Sequence, residues 1–355
     1  MKILLLADYY PRYLDAFYKK HDATSLSYDR HLDMLLSDYF GSFVSYYNHF
    51  KHIGHDTRLI IGNDTRLQNK WLSEKGMKPG RLTKYDIVLK QTEDFKPDAF
   101  YLGSMFDYYG DFLKNVSSSA RNIFAWIACP FSRSLDFSNI TCILSSVEGF
   151  VDQFRKRGLQ AEVLKPAFDP DIINQLDNNT TIDVSFVGGL SRKTHLLRVQ
   201  GLEYVIKSGF DVSIFGYGLG HPIFLFHDRL LRKQYLGERW GLDMYRTLNQ
   251  SKISLNFHID IVKDFAGNMR LFEATGCRSM MITEHADDID RLFIPGREVI
   301  TYKSNKDLVE KIRYYLEHDT ERGEIAAAGQ KACLSRHGYD KRIREFEQIL
   351  LKHLE

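Results

Sequence analysis

The sequence predicts an α/β protein made of two Rossmann-like domains in succession. Short apolar runs alternate with segments of helical periodicity in both halves of the chain, a pattern typical of parallel sheets covered by helices. A length of 355 residues exceeds what one core usually holds. A polar stretch with two prolines, residues 164–181, separates the two series. We therefore expect domains over residues 1–170 and 171–339.

The first series begins with an apolar run over residues 3–7, which is too short for a signal peptide and predicts a buried strand. Aromatic residues at helical spacing over 43–50 predict the helix that follows. Further strands are expected at 57–61, 98–102, 123–127 and 140–145. A helix over 147–154 then ends at Gly158. The polar segment 67–96 has no clear periodicity, and we expect it to be partly helical.

The second series repeats this architecture without repeating the sequence. Strands are expected at 182–187, 210–215, 253–257 and 279–283. A helix over 195–207 ends at Gly209. Ser304, followed three residues later by Asp307, resembles a capping box and predicts another helix. The last helix is expected at residues 340–353, from its apolar stripe.

Composition excludes several classes of protein. A net charge of +2 is too small to indicate nucleic-acid binding. The four cysteines are scattered without a C-x-x-C spacing, so we expect neither disulfides nor a zinc site. No apolar run is long enough to span a membrane. We expect a cytoplasmic protein with at most peripheral contact to the inner face of the membrane; its oligomeric state stays open.

The most informative segment carries Arg270 and Glu273, three residues apart on a helix that begins after Gly267. This helix lies between the strands at 253–257 and 279–283, so its N-terminus points into the crevice at the carboxyl ends of parallel strands. A carboxylate there can accept hydrogen bonds from a ribose diol, and an arginine suits a diphosphate. From spacing alone, a plain intrahelical ion pair explains the two residues equally well.

Residues 268–276, beginning at Asn268, resemble the donor-binding signature N-x-R-x-F/Y-E-A-x-G of the CgeB-like glycosyltransferases, a branch of the GT-B superfamily. Segments 183–191, 215–218, 251–258 and 295–299 resemble the same family in the same order. The resemblance implies a GT-B fold with two Rossmann-like domains facing across a cleft. It also implies an N-terminal acceptor domain, a C-terminal nucleotide-sugar donor domain, and a final helix, 340–355, that packs back on the first.

The activity implied by this resemblance is that of a metal-independent glycosyltransferase of bacterial polysaccharide biosynthesis, with a hexosyltransferase expected. It would move a sugar from a nucleotide diphosphate, UDP being expected, to a glycan, lipid-linked or protein acceptor. No cofactor is expected beyond the UDP-sugar, which is a substrate. The alternatives are a non-catalytic nucleotide-sugar-binding protein with a structural or regulatory role, and a nucleotide-sugar epimerase.

Familiar retaining GT-B enzymes place a Glu, seven residues and a second Glu around the donor sugar. Phe265 occupies the first of these positions, and Asp264 stands beside it out of register. The stereochemical outcome is therefore left open. A second departure is Arg278, where relatives carry a small residue; it either adds a phosphate contact or lies on the surface.

The remaining donor-site candidates follow strands of the second series. Gly188 and Gly189 permit close backbone approach, and Arg192 and Lys193 can meet phosphate oxygens, although a solvated turn is the alternative. His258 ends a strand at the crevice edge, where a structural histidine is the alternative. The full predicted donor set is Gly188, Gly189, Arg192, Lys193, Tyr217, Gly237, His258, Asn268, Arg270 and Glu273.

Candidates for a general base come from the first series. Asp8, Asp29 and His31 could each serve beside an acceptor hydroxyl, as could Asp107, and spacing singles out none of them. Solvated or helix-capping roles are the alternative. The D-x-D letters at 288–290 fall on an expected surface helix, so no metal site is predicted.

Overall fold

The computed structural model describes residues 1–132, 135–177, 179–219, 226–258 and 265–354, so Asp264 lies outside the described residues. The chain divides into two compact units. Unit 1 comprises Met1–Lys165 and Arg342–Glu355, and unit 2 comprises Pro166–Lys341. Each unit contains one wholly parallel sheet with helices beside it. The predicted α/β class with two Rossmann-like domains is confirmed.

Unit 1 contains a six-stranded sheet in the order β2-β1-β3-β4-β5-β6. Its strands are β1 (Lys2–Ala7), β2 (Asp56–Ile61), β3 (Ala99–Leu102), β4 (Asn122–Trp126), β5 (Cys142–Ser145) and β6 (Ala161–Val163). Its helices are α1 (Pro11–Lys20), α2 (Tyr28–Leu36), α3 (Ser42–His52), α4 (Thr65–Glu74), α5 (Lys84–Phe95), α6 (Asp111–Val116) and α7 (Glu148–Lys156).

The polar segment at 67–96 forms two full helices, α4 and α5. Asp64 caps α4 by accepting hydrogen bonds from the N–H groups of Arg66 and Leu67. Thr83 and Asp86 form a reciprocal capping box at the start of α5. These caps satisfy N–H groups that a helix leaves without intrahelical partners. The capping residues therefore mark both helices, although the apolar periodicity is weak.

Unit 2 contains a five-stranded sheet in the order β11-β10-β9-β7-β8. Its strands are β7 (Ile182–Val187), β8 (Ser213–Phe215), β9 (Ser251–Asn256), β10 (Met280–Glu284) and β11 (Ile300–Tyr302). Its helices are α8 (Leu196–Lys207), α9 (Arg229–Gln234), α10 (Gly241–Asn249), α11 (Met269–Gly276), α12 (Asn305–Glu317), α13 (Asp319–His337) and the start of α14 (Tyr339–His353). The described part of the unit also contains the 3₁₀ turns Pro170–Gln175 and Ile289–Arg291, and the second replaces the helix expected around 288–290.

The signature helix α11 is buried over most of its length. Its last residue, Gly276, lies against the ring of Phe168, and a Cβ atom there would come within 2.3 Å of that ring. The final glycine of the N-x-R-x-F/Y-E-A-x-G pattern is thus required by packing within unit 2. Among the described residues, no helix has the length and apolar character that crossing a membrane requires.

Most of α14 packs in unit 1, because residues from Arg342 onward group with that unit. Phe346 is fully buried there. Its ring lies 5.2 Å from the rings of Tyr46 and Phe50, and 4.9 Å from that of Tyr101, between ring centroids. Edge-to-face aromatic contacts of this kind add to the free energy of burial.

Phe346→Ala should lower the free energy of unfolding by about 3–5 kcal/mol, because it leaves a cavity among three rings. Urea denaturation followed by circular dichroism measures this loss. Leu351→Ala is the matched control, since Leu351 lies on the same helix with its side chain exposed, and its effect should be small. Equal losses for the two variants would show that α14 is not anchored through Phe346.

Candidate functional site

The loops at the carboxyl ends of β7 and β8 approach each other through glycines. Gly188 donates its N–H to the carbonyl of Phe215 at 2.9 Å, and Gly216 donates its N–H to the carbonyl of Gly237 at 3.0 Å. A Cβ atom on Gly216 would lie 1.8 Å from the carbonyl oxygen of Gly188. No larger residue fits at Gly216. Gly188, Gly216 and Gly237 therefore lie close together at the carboxyl ends of the strands.

Aromatic side chains cover this glycine loop. A Cβ atom on Gly189 would lie 3.1 Å from the ring of His195 and 3.6 Å from that of Tyr217. Tyr217 stacks on Trp240 with centroids 5.9 Å apart. Leu190 donates its N–H to the carbonyl of Tyr217 at 2.7 Å, which ties the two loops together. Trp240 was not among the residues predicted from the sequence.

The two predicted phosphate cations differ in their surroundings. The guanidinium of Arg192 is 8% exposed and pairs with Glu203 and, at 2.8 Å, with Asp228. It also donates to the carbonyl of His227 at 2.8 Å. Lys193 is exposed. Arg192 thus holds the loop against the rest of the unit, while the ammonium of Lys193 faces solvent.

Arg198, on α8, is buried and links the loop to the neighbouring strand. It donates to the carbonyl of Gly189 at 2.9 Å and to that of Phe257 at 3.2 Å. One planar guanidinium therefore joins the backbone beyond β7 to the backbone beyond β9. Arg198 is a positioning residue of the loop.

Arg270 and Glu273 lie at the start of α11, at the carboxyl ends of the strands. Arg270 donates from Nε to the carbonyl of Val187, the last residue of β7, at 3.1 Å. Its Nη1 atom pairs with Oε2 of Glu273 at 2.8 Å. The Oε1 atom of Glu273 has a long contact of 3.5 Å with the hydroxyl of Tyr245. The ion pair expected from the spacing therefore exists, and its arginine is fixed to the end of a strand.

Asn268 caps α11 and connects it to His258. Its side-chain oxygen accepts from the N–H of Leu271 at 3.2 Å, and its Nδ2 atom lies 3.1 Å from Oδ1 of Asn256 and 3.5 Å from Nδ1 of His258. The Nε2 atom of His258 lies 2.9 Å from the carbonyl oxygen of Glu284. Burial lowers the pKa of His258. A neutral ring that donates from Nε2 and accepts at Nδ1 satisfies both contacts.

Arg278 lies beyond the opposite end of α11 from Arg270 and Glu273. The helix spans eight residues, or about 12 Å along its axis. Arg278 is exposed and has a backbone φ of 64°. It stands near the amino end of β10, away from the glycine loop.

Asp8 directly follows β1, at the carboxyl ends of the unit 1 strands. Its Oδ1 atom accepts from the hydroxyl of Tyr108 at 2.7 Å, and its Oδ2 atom accepts from Nζ of Lys84 at 3.0 Å. Burial, followed by the charge of Asp8, raises the pKa of Tyr108 well above its usual range. The Tyr108 hydroxyl therefore stays protonated and is the hydrogen-bond donor to the carboxylate. Lys84 was not among the residues predicted from the sequence.

Asp29 and His31 lie on α2 in different surroundings. Asp29 is exposed, whereas His31 is fully buried. The hydroxyl of Tyr18 donates to Oδ2 of Asp64 at 2.5 Å and lies 2.6 Å from Nε2 of His31. Because the hydroxyl proton goes to Asp64, Nε2 of His31 donates to Tyr18. Burial lowers the pKa of His31. His31 thus belongs to a buried hydrogen-bond network that includes Asp64, the cap of α4.

Asp107, the remaining candidate base, accepts a hydrogen bond from the hydroxyl of Ser104 at 2.8 Å.

Comparison with known proteins finds a family resemblance in the second half of the chain. Residues 198–348 match the model of the family described as glycosyl transferase-like. Among proteins of curated function, none matches the sequence significantly. This part of the chain is therefore similar to glycosyl transferase-like domains.

Solved structures share the fold of the whole chain at low sequence identity. A glycosyltransferase of avilamycin A biosynthesis, AviGT4, is 12% identical with a TM-score of 0.64, and the match covers 100% of this chain and 98% of AviGT4. HepE from Anabaena, solved with UDP-glucose, is 13% identical with a TM-score of 0.62, covering 99% and 100%. Sucrose-phosphate synthase from Thermosynechococcus elongatus is 8% identical with a TM-score of 0.60, covering 99% and 98%.

These likenesses confirm the predicted GT-B fold. Together with the family match, the fold supports the predicted class, a glycosyltransferase.

Tyr18→Phe should destabilise the protein by about 1–3 kcal/mol, because it removes a hydroxyl that serves the buried Asp64 and His31. Urea denaturation measures the loss. Tyr85→Phe is the control in the same unit, since Tyr85 is 40% exposed. If both variants cost the same, the buried network does not stabilise unit 1 in this way.

Proposed function

We propose that this chain is a metal-independent glycosyltransferase of the CgeB-like branch. It transfers a sugar from a nucleotide diphosphate, with UDP as the nucleotide, to a glycan or another surface acceptor. The observation that carries the proposal is the Arg270–Glu273 pair at the start of α11, with Arg270 bound to the end of β7. This placement presents an arginine and a carboxylate at the carboxyl ends of parallel strands, where nucleotide ligands bind in such sheets.

Glu273 is proposed to hold the ribose. Its Oε2 atom is paired with Arg270, and among the described residues its Oε1 atom makes a single long contact, of 3.5 Å, with the hydroxyl of Tyr245. A carboxylate can accept about four hydrogen bonds, so capacity for hydroxyl donors is left. The ion pair also fixes the rotamer of Glu273, which lowers the entropic cost of binding.

The leaving diphosphate is proposed to meet positive groups from three elements. Arg270 lies in the first turn of α11, whose N-terminal N–H groups and dipole favour an anion. The Gly188–Gly189 loop permits close backbone approach. Lys193 adds an exposed ammonium beside that loop. Negative charge that develops on the leaving group would be stabilised there.

UDP is proposed because the chain shares its fold with HepE, which was solved with UDP-glucose. The stacked Tyr217–Trp240 pair beside the glycine loop offers a flat aromatic surface for the base. No cofactor is required in this proposal, because the nucleotide sugar itself is the donor substrate.

Asp8 is proposed as the general base, ahead of Asp29 and His31. It follows a strand at the carboxyl edge of the unit 1 sheet, and Tyr108 and Lys84 orient its two oxygens. His31 is fully buried and bound to Tyr18, so it has no access to an acceptor hydroxyl. Asp29 is exposed and lies on α2.

One observation favours a second candidate function, a nucleotide-sugar-binding protein without turnover. Phe265 stands where retaining GT-B enzymes carry the first of two glutamates. Incubation with a panel of nucleotide sugars separates the two functions. Release of free nucleotide over time supports transfer or hydrolysis, whereas tight binding without release across the panel supports the non-catalytic protein.

Glu273→Gln should weaken UDP binding by about 1.5–3 kcal/mol, because it removes a charge-assisted acceptor and the partner of Arg270. Isothermal titration calorimetry measures the dissociation constant. Glu310→Gln is the matched control: Glu310 is an exposed residue of α12 that pairs with Lys306 four residues away. An unchanged dissociation constant in a folded Glu273→Gln variant would remove the ribose assignment.

Excess EDTA should leave both UDP binding and sugar transfer intact, because cationic side chains and the α11 N-terminus take the place of a metal. The assay compares untreated enzyme, enzyme in EDTA, and EDTA-treated enzyme after Mg²⁺ or Mn²⁺ is restored. Activity that disappears in EDTA and returns with the ion would contradict the metal-independent mechanism.

A further inference from the structure

A cavity lined by charged side chains lies in unit 2, at the amino ends of the strands. Its volume is about 280 Å³, which exceeds several times the ~30 Å³ that one water takes up in the liquid. Its lining residues are Thr180, Asn249, Ser251, Lys252, Arg278, Arg322, Gly323 and Ala326. Ser251 and Lys252 begin β9. The glycine loop lies at the other end of the same sheet, about 15–20 Å away along a six-residue strand.

Three cations line this cavity, and they outnumber their partners. Lys252 pairs with Asp183 at 2.7 Å, and Arg322 pairs with Asp319 at 2.6 Å. The side chains of both aspartates are mostly exposed, at 65% and 76%. Because both aspartates are largely solvated, a multivalent anion can compete with them for the two cations. The Arg322 side chain is itself mostly buried and held by a hydrogen bond from Nη1 to the carbonyl of Tyr315 at 2.6 Å, so its position in the wall is fixed. Among the described residues, none forms an ion pair with Arg278.

The backbone at Arg278 is strained. Its φ of 64° is in the left-handed region, which is unfavourable for a residue other than glycine. Arg278 follows Cys277, the cap of α11, at a position where glycine is the usual residue. An arginine at this strained position places a long cationic side chain at the cavity.

Two further residues shape the wall of the cavity. Gly323 lies within α13, and a Cβ atom added there would meet no other atom within 4 Å. Glycine inside a helix is unfavourable relative to alanine, and here it leaves the wall open next to Arg322. Asn249 donates to the carbonyl of Cys277 at 3.0 Å, which fixes the backbone before Arg278.

We propose that this cavity binds a phosphate group through Arg278, Lys252 and Arg322, as a site separate from the nucleotide crevice. Tetrahedral oxyanions are matched by arginine, which offers several N–H donors in one plane, and by the point charge of lysine. The phosphate belongs either to a free small molecule or to a lipid headgroup. The proposal does not depend on glycosyl transfer.

The test measures inorganic phosphate binding by titration calorimetry on the full chain, with chloride buffer of equal ionic strength as reference. Titrations are made with and without saturating UDP, since phosphate can also enter the nucleotide crevice. Arg278→Gly is the main variant: it removes one cation and also relieves the left-handed strain, so it should fold at least as well as the wild type. Lys306→Gln, an exposed cation of α12 in the same unit, is the control for net charge.

The wild type and Lys306→Gln should bind phosphate in the presence of UDP, and Arg278→Gly should bind it at least ten-fold more weakly. Arg278→Lys should bind with intermediate affinity. Equal phosphate affinity in wild type and Arg278→Gly, or no binding by the wild type, would overturn the proposal; Arg278 would then only neutralise the carbonyl end of α11. Neither result bears on UDP binding, which is measured in the same samples.

A second arm identifies the source of the phosphate. Sedimentation with phosphatidylcholine vesicles that contain phosphatidic acid is compared with sedimentation on pure phosphatidylcholine. Binding to the first alone, lost in Arg278→Gly and kept in Lys306→Gln, assigns the site to a lipid headgroup. Phosphate binding without vesicle binding assigns it to a free phosphorylated molecule.

Discussion

At the carboxyl ends of the unit 2 strands, backbone carbonyl groups no longer have a neighbouring strand to donate to them. The structure there depends on side chains that supply these hydrogen bonds. Arg270 serves the carbonyl of Val187, and Arg198 serves those of Gly189 and Phe257. Buried carbonyl groups without donors are costly, so these two guanidinium groups are part of the fold. Arg270 binds Val187 through Nε while its Nη1 atom pairs with Glu273, so one arginine both completes the end of a strand and orients the carboxylate. The packing of these strand ends and the geometry of the candidate site therefore depend on the same side chain.

Strands could be predicted from the sequence where they are buried and therefore form a continuous apolar run. Strand β7, at residues 182–187, was predicted with its observed bounds because neighbouring strands cover both its edges. Strand β8 forms the sheet edge and begins only at Ser213, later than the expected residue 210. Helices α4 and α5 were predicted only in part, because their apolar faces are short and their boundaries depend on capping hydrogen bonds.

The residue types of the candidate site could be predicted from the sequence, but their ion-pair and hydrogen-bond partners could not. Arg192 pairs with Glu203 and Asp228. Tyr18 contacts both His31 and Asp64, the second of them 46 residues away in the sequence. Such pairs depend on tertiary packing, which spacing along one helix or strand does not specify. The Arg270–Glu273 pair is the exception. It is local to α11, so its geometry follows from the helical repeat.

The amino and carboxyl ends of the strands in a parallel sheet are chemically different, and in unit 2 they carry different groups. Helix N-termini meet the carboxyl ends of the strands, so an anion there gains from N–H groups and needs few cations. At the amino ends, the C-termini of α10 and α11 present carbonyl groups that repel an anion. Only long cationic side chains can overcome that repulsion, helped by the first turns of α13, where Arg322 stands. The proposed phosphate site at these strand ends therefore relies on cationic side chains, and Arg278 supplies one of the three from a backbone in the left-handed region.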